Sequence, residues 1–208
     1  GAVRVRRLKL LTVGTRGETI RMVSRTPTQL GQTLELEAGG KTHKVNLPLI
    51  GAYQAANALV AAGLVLATGG DLATTLGGLS RLQPVRGRLE RAVITAAGAP
   101  VYVDYAHTPD GLVAAIAALR PHTRGKLHLV FGAGGDRDTG KRPQMGAIAV
   151  EQADIVIVTD DNPRSEDPAS IRADIMAAAA GAAEIGDRRS AIAAAIKAAG
   201  GDDVILIA

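Results

Sequence analysis

The second part of the chain alternates short apolar runs with longer amphipathic stretches, which is typical of strands that alternate with helices. Strands are predicted at residues 88–95, 99–103, 127–131, 154–159 and 204–207. Helices are predicted at residues 109–119, 142–152, 168–180 and 188–199, with Thr108 and Asp167 as N-caps of the first and third. Elements at this spacing favour an α/β fold with a mainly parallel, doubly wound, Rossmann-like sheet covered by helices on both faces.

The first part of the chain has a different pattern. Residues 1–49 alternate short apolar and polar segments between turn residues, which predicts antiparallel strands. Within them, residues 33–37 and 42–47 flank Gly39 and Gly40 and predict a β-hairpin.

A helical pattern follows this β-rich stretch. Residues 52–67 are rich in Ala and Leu and predict one helix, and a shorter helix is expected from the N-cap Asp71 to about Leu82. Pro84 interrupts the pattern, so we divide the chain into residues 1–84 and residues 85–208.

Composition narrows the functional classes. Hydrophobic residues make up 47% of the chain but aromatic residues only 2%, so the core must consist of Ala, Val, Ile and Leu. The chain has no cysteine, which excludes disulfides and thiolate chemistry and is compatible with the cytoplasm. No apolar run approaches the roughly 20 residues of a membrane span, and no signal peptide is recognisable. We therefore expect a soluble, cytoplasmic protein without a membrane partner.

The net charge of +4 is mild and would help to attract anionic substrates such as nucleotides. This mild charge, together with the small number of aromatic side chains that could stack on bases, argues against a nucleic-acid binder. The chain starts at Gly1 without Met and stops directly after a predicted strand, so we expect a fragment of a longer protein.

Residues 159–164, Thr-Asp-Asp-Asn-Pro-Arg, follow the apolar strand at the edge where open α/β sheets bind ligands. The carboxylates and the amide can accept hydrogen bonds from an ammonium group, and the guanidinium of Arg164 can hold a carboxylate at two points. Asp-Asn-Pro is also common turn chemistry, and both interpretations remain open from these residues alone.

Two further loops, residues 104–110 and 132–142, should converge on the same edge. The second resembles a phosphate-binding loop, but Arg142 replaces the hydroxyl residue that would hold magnesium, so we exclude a Walker motif. Arg137 and Lys141 are candidates for an anion contact or for a solvated loop. His107 is a candidate functional histidine or a structural one, and no histidine or carboxylate cluster has metal-ligand spacing.

Three segments together resemble one family. Asp-Tyr-Ala-His-Thr-Pro-Asp at 104–110, the glycine-rich segment at 134–143 and Asp-Asn-Pro-Arg at 161–164 resemble, in this order, the C-terminal half of the Mur ligase family, in its diaminopimelate-adding branch. Residues 47–51, followed by 57–59, are similar to the end of that family's central ATPase domain. The resemblance covers the whole chain, and three long segments in the right order make it specific.

The resemblance implies an ATP-dependent, Mg²⁺-requiring ligase of peptidoglycan synthesis. Such an enzyme activates the carboxylate of UDP-N-acetylmuramoyl-L-Ala-D-Glu as an acyl phosphate, and the amino group of meso-diaminopimelate then displaces phosphate. Residues 1–84 would be the tail of the ATPase domain, and residues 85–208 most of the amino-acid-binding domain. The protein is expected to be a monomer.

The resemblance also implies site residues. Those expected to bind meso-diaminopimelate are Arg137, Asp161, Asn162, Pro163 and Arg164. Those expected around ATP are Asn57, Arg88, Asp104 and His107. Gln54 departs from the family, where Asn is more usual.

The family's phosphate loop and its magnesium-holding carbamylated lysine would lie upstream of Gly1. A Gly-Lys-Gly-His-Glu segment would follow the last strand. We therefore expect no catalytic or metal residue within these residues, and no activity from them alone. Two alternatives remain: a related ligase such as a folylpolyglutamate synthase, and a non-catalytic binding module for a nucleotide or an amino acid.

Overall fold

The computed structural model describes residues 10–208, which fall into two compact units that join between Gln83 and Pro84. The part of the antiparallel pattern predicted for residues 1–9 lies outside the described residues. Among residues 10–208, no helix is both long and apolar enough to cross a membrane.

The first unit contains a four-stranded sheet in the order β1-β2-β3-β4. Its strands are β1 (Val13–Gly14), β2 (Ile20–Thr28), β3 (Gly31–Ala38) and β4 (Lys41–Leu47). The predicted hairpin is confirmed, since β3 pairs antiparallel with β4. Gly39 and Gly40 make its turn with φ values of +56° and +72°, the left-handed conformation that a two-residue hairpin turn requires.

Two helices cover this sheet, α1 (Ala52–Ala67) and α2 (Leu72–Leu79). Leu34 and Leu36 of β3 form a core with Leu59 of α1 and Leu76 of α2. As predicted, the Asp71 side chain caps α2, where it accepts the Thr74 N–H at 2.8 Å. The helix is shorter than expected, because it ends soon after two consecutive glycines, which are poor helix formers.

The second unit contains a six-stranded sheet in the order β5-β6-β10-β7-β8-β9. Its strands are β5 (Glu90–Ile94), β6 (Pro100–Val103), β7 (Leu127–Phe131), β8 (Ile155–Val158), β9 (Ala183–Glu184) and β10 (Val204–Ile207). Every pairing is parallel except the antiparallel edge pair of β5 and β6. The prediction of a mainly parallel α/β sheet is confirmed.

Different helices cover the two faces of this sheet. They are α3 (Pro109–Leu119), α4 (Lys141–Gln152), α5 (Pro168–Met176) and α6 (Arg188–Ala198), with a 3₁₀ turn at Arg120–His122. Ile205 and Ile207 of β10 pack against Ala191 and Ala195 of α6. Helices α3, α4 and α5 lie side by side, and α4 and α5 contact β8. Because strand side chains alternate between faces, the apolar residues of β10 pack against the helices on both faces of the sheet.

Candidate functional site

The loops that follow β6, β7 and β8 start at one edge of the second sheet. Val103 pairs with Ile207 of β10, and Phe131 pairs with Val158, so the parallel strands end at a common level. The convergence predicted for these loops is confirmed. It places the glycine-rich segment after β7 directly beside the Asp-Asn-Pro-Arg segment after β8.

The two loops touch backbone to backbone. The Gly135 N–H donates to the Asn162 carbonyl at 2.9 Å. A Cβ atom at Gly135 would lie 1.9 Å from the Pro163 carbonyl oxygen, and one at Gly132 would lie 2.4 Å from the Thr159 carbonyl oxygen. Only glycine allows this approach, so both glycines are required for the packing of the two loops.

Arg164 reaches across the same contact. Its Nη1 donates to the Gly135 carbonyl oxygen, and its own N–H donates to Asn162 Oδ1 at 3.3 Å. The residue is exposed and has a φ of +50°, which is unusual for a side-chain-bearing residue. One nitrogen of the guanidinium is thus held by the protein, and the group still faces solvent.

A network around the carboxylates of Asp136 and Glu166 also joins the two loops. Asp136 accepts the Ser165 hydroxyl at 2.7 Å and the Ser165 N–H at 3.2 Å, and these bonds lower the pKa of Asp136. Glu166 Oε1 accepts the Asp136 N–H and also binds Arg142 Nη2 at 2.8 Å. Hydrogen bonding to Arg142 is the main cause of the lowered pKa of Glu166.

Arg142 and Glu166 belong to this network, and the sequence analysis assigned a binding role to neither. The Arg142 side chain is only 2% exposed and forms a second ion pair, from Nη1 to Asp174 at 3.0 Å. Its Nε has no hydrogen-bond partner among the described residues. The available signal was its position at the start of the predicted helix, but an Arg there is usually solvated, so sequence alone did not reveal its burial.

Asp160 is committed to the protein and is not an open acceptor for a ligand. Its carboxylate pairs with Arg172, which also donates from Nε to Glu184 at 2.8 Å. The neighbouring Thr159 hydroxyl donates to the Gly186 carbonyl at 3.0 Å. Asp161, by contrast, is exposed, and none of the described residues binds its side chain by a hydrogen bond or ion pair.

The loop after β6 contains two of the residues predicted around ATP, Asp104 and His107. The Asp104 carboxylate accepts the Leu89 N–H at 2.8 Å. Burial raises the pKa of Asp104, although this hydrogen bond and the charge of Arg88 oppose the shift. His107 Nδ1 lies 2.9 Å from the Tyr105 carbonyl oxygen, so this nitrogen carries the hydrogen.

Lys141 connects this loop to the glycine-rich one, since its Nζ donates to the His107 carbonyl at 2.7 Å. It is therefore engaged by the protein, whereas Arg137 is exposed and has no side-chain hydrogen bond or ion pair to another described residue. Asn57 is exposed on α1 in the first unit. The binding roles assigned to Asn57, Arg137 and the other candidate residues stay predictions.

The carboxylates of this edge do not form a metal site by themselves. In residues 10–208, no group of three or more His, Asp or Glu side chains is arranged to hold a metal ion. Asp136 instead binds Ser165, and Asp160 binds Arg172. We therefore derive no step through a metal held by these residues.

Comparison with known proteins gives one family. A sequence model described as Mur ligase, glutamate ligase domain matches residues 87–208. The UDP-N-acetylmuramoyl-L-alanyl-D-glutamate--2,6-diaminopimelate ligase of Zymomonas mobilis subsp. mobilis is 60% identical over 206 residues, which are 99% of this chain and 42% of the relative. The ligase of the same name from Caulobacter vibrioides is 59% identical over 199 residues, 96% of this chain and 41% of the relative. The chain thus spans about two fifths of the length of these relatives.

Solved structures agree with this comparison. The structure of a UDP-N-acetylmuramoyl-L-alanyl-D-glutamate--2,6-diaminopimelate ligase matches with a TM-score of 0.76 and 35% identity, over 96% of this chain and 42% of that one. A folylpolyglutamate synthase of Mycobacterium tuberculosis complexed with ADP and AMPPCP matches with a TM-score of 0.66 and 24% identity, over 91% of this chain and 45% of that one. At that identity, the second match shows the shared fold alone.

Proposed function

The chain belongs to the Mur ligase family, and from that premise we propose that the whole protein adds meso-diaminopimelate to UDP-N-acetylmuramoyl-L-Ala-D-Glu at the expense of ATP. The observation that carries the proposal is the position of Asp-Asn-Pro-Arg, residues 161–164. It lies at the carboxyl edge of the sheet and is fastened to the loop that contains Arg137. The relatives named for this reaction match over nearly the whole chain.

The chemistry of the substrate suits these side chains. Diaminopimelate differs from lysine by a carboxylate at its far end, and a guanidinium is well shaped to pair with a carboxylate through two hydrogen bonds. We assign this contact to Arg164, whose Nη1 is already oriented by Gly135. Arg137 is assigned to the same amino acid, and Asp161 and Asn162 offer acceptors for its ammonium groups.

The reaction has two steps in this proposal. The γ-phosphoryl group of ATP passes to the glutamate carboxylate of the muramyl dipeptide, which gives an acyl phosphate and ADP. The deprotonated amino group of diaminopimelate then attacks the acyl carbon, the bond to the phosphate oxygen breaks, and phosphate leaves. The role of the described residues is to hold the amine near that carbon, which turns an encounter into an oriented reaction.

Family chemistry depends on ATP and Mg²⁺, and we place Arg88, Asp104 and His107 beside the nucleotide. Asp104 and His107 both belong to the loop after β6, and the positive charge of Arg88, which precedes β5, lowers the pKa of Asp104; these observations support the proposal. Asn57, on α1 of the first unit, is also proposed as a nucleotide-binding residue. A cytoplasmic location and a monomeric state also belong to the proposal, and size-exclusion chromatography with light scattering tests the second.

Phosphate release by the whole protein tests the function. The assay contains ATP, Mg²⁺ and the muramyl dipeptide nucleotide, and compares meso-diaminopimelate with L-lysine as the amine. We expect release with diaminopimelate and little with lysine. Release with lysine alone would keep a Mur ligase but refute the proposed selectivity, and release with neither amine would favour a binding module or a different ligase substrate.

A further inference from the structure

The carboxylate of Glu166 is shared between the two loops of the candidate site. Its Oε1 accepts the backbone N–H of Asp136, in the loop after β7, while Glu166 itself belongs to the loop after β8. Asp136 returns the contact through its carboxylate, which binds Ser165. Residues 136 and 165–166 therefore form a reciprocal clasp, which we call the loop clasp.

The loop clasp adjoins both arginines assigned to the substrate. Arg137 directly follows Asp136, and Arg164 directly precedes Ser165. The clasp therefore sets the distance between the backbone positions from which the two guanidinium groups extend. A ligand with a charged group at each end needs its two anchors at a fixed spacing, so a change in this distance affects it directly.

Arg142 holds the carboxylate of the clasp in place. Its guanidinium is 2% exposed and binds Glu166 at 2.8 Å and Asp174 at 3.0 Å. A buried charge is costly unless it is paired, so the Arg142 side chain has few alternatives to this arrangement. Arg142 belongs to α4 and thereby anchors the exposed loop clasp to a rigid element.

We propose that Glu166 is a positioning residue for the diamino acid, with Arg142 as its support. The inference rests on the proposed function, because it names the residue that sets the geometry of the same site. Glu166 acts through the backbone of Asp136, and its carboxylate is already occupied by two protein donors. Loss of the clasp is expected to weaken the binding of diaminopimelate. The rate of the chemical step at saturating diaminopimelate should stay the same.

Steady-state kinetics of the whole protein test this inference with three variants. Glu166→Ala removes both contacts, Glu166→Gln keeps an oxygen for the Asp136 N–H but loses the charge, and Glu151→Gln makes the same change at an exposed position of α4. We expect Glu166→Ala to raise KM for diaminopimelate by about tenfold or more, with kcat and KM for ATP nearly unchanged. Glu166→Gln should be intermediate, and Glu151→Gln should match the unmodified protein.

Hydrogen exchange of residues 132–140, measured without ligand, is a second readout. The Asp136 amide should exchange slowly in the unmodified protein and faster in both Glu166 variants. If the alanine variant does not fold, the glutamine variant decides. An unchanged KM for diaminopimelate in a folded Glu166 variant would overturn the inference, as would unchanged exchange at Asp136.

The two proposals fail in different ways. Absence of phosphate release from the unmodified protein with diaminopimelate refutes the proposed function, whatever the variants do. Normal release by the unmodified protein together with normal KM values in the Glu166 variants refutes only the positioning role. A merely structural Glu166 would lower the melting temperature and leave the KM of the folded fraction unchanged.

Discussion

Arg164 and Asp136 show how single residues at this edge depend on their surroundings. Both have left-handed backbone conformations, with φ values of +50° and +52°, which non-glycine residues adopt at a cost. Such conformations persist only where neighbouring contacts fix them. Here Arg164 is bonded to Gly135 and Asn162, and Asp136 is bonded to Ser165 and Glu166. Two of the three described non-glycine residues with positive φ are thus residues to which we assign ligand recognition or its support, and the third is Leu89.

Replacement of Arg164 tests recognition at this scale. Arg164→Ala should weaken diaminopimelate binding by about 2–5 kcal/mol, because the bound ligand would bury a carboxylate that has lost its partner. Isothermal calorimetry on the whole protein measures the change. Arg124→Ala, which removes an exposed arginine before β7, is the matched control and should bind as the unmodified protein does. Equal affinities in the two variants would contradict the assignment of Arg164.

At the scale of elements, the two loops depend on a backbone contact that has no room for a side chain. Gly135→Ala would place a Cβ 1.9 Å from the Pro163 carbonyl oxygen, so one loop must move. We expect diaminopimelate affinity to fall by about 10- to 100-fold, since small displacements of binding groups are costly. Titration calorimetry of this variant measures the loss.

Gly140→Ala is the control for this change. It adds the same methyl group in the same loop, but the nearest atom is the Asp138 carboxylate oxygen at 3.2 Å. This oxygen is the end of an exposed side chain, and a small shift makes room while it still accepts the Gly140 N–H. This variant should keep its affinity. A Gly135→Ala variant that binds as well as the Gly140→Ala variant would show that close loop approach is not needed.

The elements that were predicted best are those with local stop and start signals. Ala52–Ala67, Pro109–Leu119 and Leu127–Phe131 have the predicted bounds, because glycines, caps and polar flanks enclose them. The helix predicted to residue 180 ends at Met176. The alanines that follow contain no stop signal, so the sequence did not indicate this end. The two-residue strands β1 and β9 were not predicted, as two residues have no periodicity.

The candidate site was predictable to a similar depth. Polar segments that follow the predicted parallel strands indicated the ligand-binding edge of the sheet. The segments that contain Arg137 and Arg164 were identified from the sequence. The sequence did not reveal the roles of Arg142 and Glu166, because these two residues are 24 positions apart and only the fold brings them together. Asp160 was grouped with ligand acceptors, but Arg172 from a later helix occupies it.

For the molecule as a whole, the partly buried carboxylate of Asp203, at the opposite edge of the second sheet, couples stability to acid. Asp203 accepts the Lys126 and Gly200 N–H groups and lies 3.1 Å from His128 Nε2. Burial works against its ionisation, but these hydrogen bonds outweigh burial and lower the pKa of Asp203 below the ordinary 3.8. The unfolded state therefore takes up protons first as the pH falls.

This sign fixes the expected pH dependence. The stabilisation by Asp203 is complete above its unfolded pKa near 3.8 and is lost as the pH falls through the lower folded value. Melting temperatures by circular dichroism should therefore fall steeply in acid. Asp203→Asn should melt lower at neutral pH but depend less on acid, whereas Asp202→Asn, at an exposed neighbour, should follow the unmodified protein. Identical acid slopes for all three proteins would contradict this account.

The strand order has a consequence for how the second unit is made. Strand β10 is the last of its six strands in sequence, yet it lies between β6 and β7. A growing chain on the ribosome therefore presents β6 and β7 long before the strand that joins them exists. Until residues 204–207 emerge, both have an unpaired edge of the kind that invites association with other chains. The nascent second unit is thus prone to association with other chains, and its sheet can close only after residues 204–207 have emerged.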